Sequence, residues 1–317
     1  MSKSLFIATL EPGGGKSVVA LGIMDLLSRR LQNIGFFRPI IPDVKRDNNI
    51  QLILTRYNLR PAYEDMYAYK HEEARHMVSH GQYDLLLKTI LVKYKTLESR
   101  CDFVLCEGTD YTGVSSAFEF DFNAGVANNL GCPILAVVNG RGKSPEEILD
   151  ATRFARDAFG SQGCTLLAIL ANRVEPQHVD LINTRLKYET SVKEPVYILP
   201  EEQLLGKPTI GEIAANLDSR LLQGDPDGLN RVVRVIKIAA MNLPHFLDYI
   251  SDGTLVITPG DRSDVILGSL AATVSETYPN ISGLLLTGGL ALEPQVQRLI
   301  EGSKKSLPIP IFSVDSD

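Results

Sequence analysis

Short apolar runs alternate with amphipathic helical stretches along most of the 317 residues. That rhythm reads as parallel strands joined by crossover helices. The expected strands are Ser4–Thr9, Ile34–Phe37, Phe103–Cys106, Ile134–Asn139, Leu166–Ala171 and Val196–Leu199. Between them, Ser144-Pro145-Glu146-Glu147 is a helix start: Ser144 caps, proline suits the first helical position and Glu147 closes a capping box. Ile148 then opens an apolar stripe that runs past the neighbourhood of Phe154 to Phe159. Val19, Ile23, Leu26, Leu27 and Leu31 mark another helix at three- and four-residue spacing, its apolar face toward the sheet.

The pattern changes at Gly206-Lys207-Pro208-Thr209, a turn-forming cluster after which Ile210, Ile213, Ala214 and Leu217 restart a helical period. A boundary near residue 205 separates a first domain, 1–204, from a second, 205–317. The second reads as helix, connector and helix with the strands Leu255–Thr258, Leu284–Thr287 and Ile309–Val314, a smaller α/β domain. Its last strand has no helix after it, so the chain reads as cut short there, with part of the sheet or an apolar helix face left open to a partner.

Lys plus Arg is 32 and Asp plus Glu is 38, a net charge of −6 with no basic block, which argues against nucleic acid as a main partner. The longest apolar runs, such as Ile134–Val138, fall far short of the roughly 20 residues that cross a bilayer. Leu5-Phe6-Ile7-Ala8 is too short for a signal-peptide core, so the reading is a cytoplasmic protein with no membrane partner. The four cysteines show no CxxC and no histidine at zinc spacing, and read as small buried apolar residues. His76 and His80, four apart on a helix, lack a third ligand and read as a solvated face.

One loop carries chemistry. Thr9-Leu10-Glu11-Pro12-Gly13-Gly14-Gly15-Lys16-Ser17 joins a strand to a helix. In a phosphate loop, backbone N–H groups and the helix end cradle phosphates, a lysine reaches the outer ones and a hydroxyl meets Mg²⁺. Gly15, Lys16 and Ser17 fit that pattern, while its first glycine is not met; the plainer reading is a flexible turn whose lysine faces water. Glu107, ending an apolar strand before Gly108, suits a Mg²⁺-holding acid or a solvated strand-end glutamate. Arg38, before Pro39, either reaches a phosphate or carboxylate at the same edge or is a surface arginine. Asn172 either bonds a purine edge or caps a turn.

Together, the run Ile7–Ser17, the segment Gly35-Phe36-Phe37-Arg38-Pro39-Ile40 and Leu105-Cys106-Glu107-Gly108 resemble a dethiobiotin synthetase-like P-loop domain, in the form found in the N-terminal region of long-form bacterial phosphate acetyltransferases. Leu204–Ile210, Ile257-Thr258-Pro259-Gly260-Asp261-Arg262 and Leu286-Thr287-Gly288-Gly289 resemble the DRTGG domain that follows it. The resemblance covers essentially the whole chain. It implies a doubly wound, mostly parallel sheet of P-loop type followed by the smaller DRTGG-like domain.

It also implies a regulatory and oligomerisation role. Acetyl transfer between acetyl-CoA and phosphate belongs to a further C-terminal domain that this sequence does not contain, so these residues are expected to be non-catalytic. ATP and Mg²⁺ are the implied cofactors, at Gly13, Gly14, Gly15, Lys16 and Ser17, with Ser17 and Glu107 on the metal; Arg38 and Asn172 join the nucleotide- or phosphate-binding set from their own strand-end positions. The implied partners are a small-molecule effector, the acetyltransferase domain and a second copy bound through the second domain. The DRTGG motif maps to Asp261, Arg262, Thr287, Gly288 and Gly289, read as turn geometry more than chemistry, with Asp261 or Ser263 capping a helix Val265–Val274. The alternative is a stand-alone ATP-dependent enzyme of the dethiobiotin synthetase type. Against it, Thr109-Asp110-Tyr111 replaces that enzyme's glycine-rich continuation, and Arg38 replaces the lysine of its Lys-Pro pair.

Overall fold

The structure, a computed structural model, describes residues 3–109, 116–188, 194–302 and 309–316. Two compact units share the chain, Met1–Glu201 and Glu202–Asp317.

The first unit is a seven-stranded sheet. Its strands are β1 (Ser4–Thr9), β2 (Ile34–Ile41), β3 (Tyr67–Lys70), β4 (Phe103–Glu107), β5 (Ile134–Asn139), β6 (Leu166–Val174) and β7 (Val196–Pro200). They lie in the order β3-β2-β4-β1-β5-β6-β7, every neighbouring pair parallel. The two-residue strand period sends Phe6 and Ala8 into one layer and Leu5 and Ile7 into the other. Helices Lys16–Ser28 and Asn48–Arg56 cover the Leu5/Ile7 face through Val19, Ala20, Met24, Ile50 and Ile53. Helices Tyr83–Glu98, Ser116–Leu130 and Pro145–Ser161 cover the other through Leu86, Ile90, Phe122, Ala155 and Phe159. This is the doubly wound α/β class. Cys101, Cys106 and Cys132 are buried and Cys164 is partly exposed.

Two helical stripes differ in detail from expectation. The Lys16–Ser28 helix buries Val19, Ala20 and Met24, whereas Leu26 is 62% exposed. In the Pro145–Ser161 helix Phe154 points to solvent, and the buried residues are Ile148, Leu149, Thr152, Ala155 and Phe159. The start of that helix is as read: Ser144 Oγ accepts from Glu147 N at 3.3 Å, and the Glu147 carboxylate accepts from Ser144 N at 2.8 Å. Ser144→Ala is expected to cost about 1 kcal/mol. Thermal unfolding should show a drop of a few degrees, and an unchanged midpoint would remove the cap from the account.

The second unit holds β8 (Arg220–Gln223), β9 (Val235–Ile238), β10 (Thr254–Pro259), β11 (Ile281–Thr287) and β12 (Ile311–Ser313) in the order β8-β12-β11-β10-β9. All pairs are parallel except β12 with β8. Helices Leu243–Leu247, Ser263–Val274 and Pro294–Gly302 pack Phe246, Val265, Ile266, Leu270, Val296 and Ile300 over Val256, Leu284 and Leu286. On the opposite face Ile210, from the helix Ile210–Asn216, packs with Val233, Leu255, Leu285 and Phe312. The expectation of an uncovered last strand is corrected here: β12 is interior, because β8 returns antiparallel along its free edge. Among the described residues β9 pairs on one side only, with β10, and its Ile236 is 53% and Ile238 74% exposed. No helix among the described residues is long and apolar enough to cross a membrane.

Candidate functional site

The strand order places the ends of β1 and β4 side by side at the centre of the first sheet, the position where open α/β sheets bind ligands. The loop leaving β1 turns into its helix through Gly13 and Gly15, at φ 79° and 78°. That left-handed backbone is nearly strain-free only for glycine. At Gly15 a side chain is also excluded by space, since a Cβ would stand 2.6 Å from Asn172 Nδ2. Gly15 is the N-cap of Lys16–Ser28 and supplies no side-chain cap. The cap therefore leaves the first N–H groups of the helix without a side-chain acceptor of its own, at the positive end of the helix dipole, where an anion is favoured.

Buried charge converges beside this loop. Lys16, Arg38, Asp47, Glu107 and Glu119 are all at least nine-tenths buried. Lys16 Nζ lies 3.9 Å from Glu119 Oε1, so the reading of a lysine facing water is corrected. Register sets Phe37 beside Cys106, and thus Arg38 beside Glu107, with 3.8 Å between Arg38 Nε and Glu107 Oε2. Arg38 Nη1 also donates to the Asp47 carboxylate. Arg38 is accordingly no surface arginine, and Glu107, with no exposure, is no solvated strand end.

Ser17 Oγ donates to Glu107 Oε1 at 3.0 Å, and Asn49 Nδ2 donates to Ser17 Oγ at 2.7 Å and to Glu107 at 3.0 and 3.2 Å. A hydroxyl, a carboxylate and an amide so close form the hard-oxygen donor set that suits Mg²⁺, once the Asn49 amide turns its oxygen inward. Thr9 Oγ1, at the base of the loop, is buried with no hydrogen-bond partner among the described residues, a polar atom suited to a ligand. These residues fit a magnesium nucleotide.

Asp47, Asn49 and Glu119 carry no mark in the sequence comparable to Gly-Lys-Ser. A signal did exist for Asp47, an N-cap aspartate before an apolar helix, and its carboxylate accepts from Ile50 N at 2.9 Å. Asn172, offered as a purine contact or turn cap, donates from Nδ2 to Gly14 O at 2.8 Å and so braces the loop. Asp110 and Tyr111 lie outside the described residues.

In the second unit the five motif residues meet at the carboxyl ends of β10 and β11. Pro259 pairs with Thr287, and Gly260 N donates to Thr287 O at 3.2 Å. Gly288 and Gly289 take φ of 81° and 62° and donate their N–H groups to Ser316 O and Val314 O, each at 3.0 Å. The expected caps Asp261 and Ser263 do not serve: Arg262 is the N-cap of Ser263–Val274, without a side-chain bond to the helix N–H groups. Its guanidinium pairs bidentately with Asp264, at 2.9 and 3.0 Å, and donates to Met241 O. Thr258, Asp261, Arg262, Thr287 and Val314 contribute to an open cavity of about 680 Å³.

Comparison with known proteins agrees with this anatomy. Residues 3–213 match the AAA domain family and 212–317 match the DRTGG domain. The phosphate acetyltransferase of Nitratidesulfovibrio vulgaris is 47% identical over 322 residues, covering 99% of this chain and 45% of the relative. That of Synechocystis is 37% identical, covering 99% and 46%. Among solved structures, a Cyanothece McdA variant in complex with ATP aligns with a TM-score of 0.40 and 14% identity, covering 63% of this chain and 84% of that one. The chain spans about half the length of the curated relatives it matches. It belongs to the AAA-domain family, in a two-domain form, P-loop domain then DRTGG domain, that matches just under half of each of these phosphate acetyltransferases.

Proposed function

We propose that this chain is the regulatory, non-catalytic portion of a phosphate acetyltransferase, binding a magnesium nucleotide in its first domain and pairing copies through its second. The observation that carries the reading is end-to-end similarity to phosphate acetyltransferases over only 45% of their length. On this reading acetyl transfer resides in the remainder. The nucleotide part rests on Gly13–Ser17, Glu107 and Asn49. Arg38, held between Asp47 and Glu107, shapes that site and does not reach the ligand directly. Wild type should release or absorb heat on titration with ATP and Mg²⁺, and Lys16→Ala should bind at least tenfold more weakly, the loss of about one charge-assisted hydrogen bond. Equal heats, or none in either protein at millimolar ligand, would remove the site.

The pairing part rests on β9. An open edge with Ile236 and Ile238 exposed is a surface that soluble proteins usually cover, and two-fold pairing is the commonest way a chain covers its own. Light scattering should show a dimer that Ile238→Lys converts to a monomer of unchanged thermal stability. A monomeric wild type at tens of micromolar would overturn it. The intact Gly-Lys-Ser loop also suits the alternative, an ATP-dependent enzyme of the dethiobiotin synthetase type. Steady ADP formation with bicarbonate and diaminopelargonate would establish that instead.

A further inference from the structure

We propose that Arg173 is a positioning residue of the phosphate loop and that, through Glu201, it links occupation of the loop to the chain segment entering the second domain; this rests on the nucleotide reading of Gly13–Ser17. The β6–β7 register shifts between Ala171 and Val174. Such a bulge re-aims side chains next to a site, and here two successive side chains reach the loop. Asn172 Nδ2 donates to Gly14 O at 2.8 Å and Arg173 Nη1 donates to Gly13 O at 3.2 Å. Arg173 sits at φ 64°, a conformation a long side chain holds only where its surroundings enforce it.

The consequence follows from peptide planarity. In a trans peptide the C=O and the next N–H point in opposite directions. Fixing the Gly13 and Gly14 carbonyls from one side therefore fixes the N–H groups of Gly14 and Gly15 toward the other. Those are the groups a phosphate loop presents to its anion. Arg173 thus sets the direction of a donor without touching the ligand.

The other edge of the same guanidinium is held by Glu201. Nε donates to Oε2 at 2.8 Å and Nη2 to Oε1 at 3.1 Å, a bidentate pair, and Arg141 Nε stands 3.8 Å from Oε1. The hydrogen bond from Arg173 holds the Glu201 carboxyl below the usual carboxylate range. Glu201 N in turn donates to Val174 O at 2.7 Å. Glu201 is the last residue of the first unit, and the chain passes from it into the 3-10 turn Gln203–Gly206, where Leu205 is 68% exposed. An anion that stiffens the loop stabilises the Gly13–Arg173 bond, and with it the Arg173–Glu201 pair that anchors this segment. Linkage requires the reverse: loosening Glu201 weakens the anion.

The test uses the whole chain with ATP and Mg²⁺ as probe, in wild type, Glu201→Gln, Arg173→Gln and the double variant, each checked for an intact thermal transition. Calorimetry gives affinity, and limited chymotryptic cleavage at Leu204 and Leu205 reports on the segment. ATP should slow cleavage of wild type about fivefold, and each single variant should bind ATP about three- to tenfold more weakly with that protection lost. The double variant should bind no worse than Arg173→Gln alone, because the two act as one unit. Full protection in Glu201→Gln, unchanged affinity in the single variants, or additive losses in the double would overturn the proposal. So would wild-type binding with unchanged cleavage, which leaves the nucleotide site standing. No wild-type binding removes the site and the link together. Glu201→Gln, nearly isosteric, decides the matter alone if Arg173→Gln does not fold.

Discussion

Arg38→Met is expected to destabilise the first domain by about 3–5 kcal/mol. Arg38 is 5% exposed, between Asp47 at 3% and Glu107 at 0%. Removing the guanidinium takes a cation away from two buried carboxylates, and the cost of charge left out of water, more than the lost attraction, sets the magnitude. Damage should spread locally, because Asp47 also caps Asn48–Arg56 and its N–H donates to the Tyr63 hydroxyl at 2.5 Å. For a domain of this size the midpoint should fall by about 10 °C. The double variant Arg38→Met/Asp47→Asn should recover part of the loss, since it deletes one of the stranded charges. A single variant within 1 °C of wild type would mean that water reaches the site and screens it.

The second domain should be most sensitive at Gly260. A Cβ there would stand 2.3 Å from Leu290 O and 3.1 Å from the carbonyl carbon behind it, so the obstruction is backbone and cannot swing aside. Gly260→Ala must push apart the loops after β10 and β11, whose contact includes the Gly260 N to Thr287 O bond. Overpacking of this kind costs about 3 kcal/mol. Hydrogen exchange should quicken in β11 and in Pro294–Gly302, while β1 and β5 keep their protection. Gly268→Ala is the useful contrast, because its Cβ meets the side chain of Leu243, which can rotate. Equal, small effects at the two glycines would show that the loops can part at little cost. A large effect confined to Gly260 would support reading the DRTGG motif as a means of bringing backbone against backbone.

These sites differ in how far they were legible along the chain. The strands β1 and β5, the capped start at Ser144, the loop Gly13–Ser17 and the acid Glu107 follow from local rules. Apolar runs mark buried strands, glycine supplies positive φ, and a carboxylate that ends a buried strand stands at the sheet's functional edge. β3 and β8 escaped notice because they are four-residue strands carrying polar residues, three of the four at least partly exposed, whereas β9, Val-Ile-Lys-Ile, has strand-forming residues and was missed because it is equally short. Such segments are strands because a neighbour offers them hydrogen bonds, not because their own residues demand it.

The amino-acid sequence by itself determined the α/β class, the two-part organisation and the glycine-rich turn from β1 into its helix, because periodicity, capping and glycine conformation act over a few residues. Only the tertiary structure decided which side chains complete the site. Arg38 meets Glu107 because β2 pairs with β4, Asn49 reaches Ser17 because Asn48–Arg56 packs beside Lys16–Ser28, and Arg173 turns to the loop because β6 bulges against β7. It likewise placed β12 inside its sheet, through a return by β8 that no residue of β12 announces. Each of these contacts joins residues distant in the chain, and their pairing is chosen by the packing of whole layers, which no local pattern encodes.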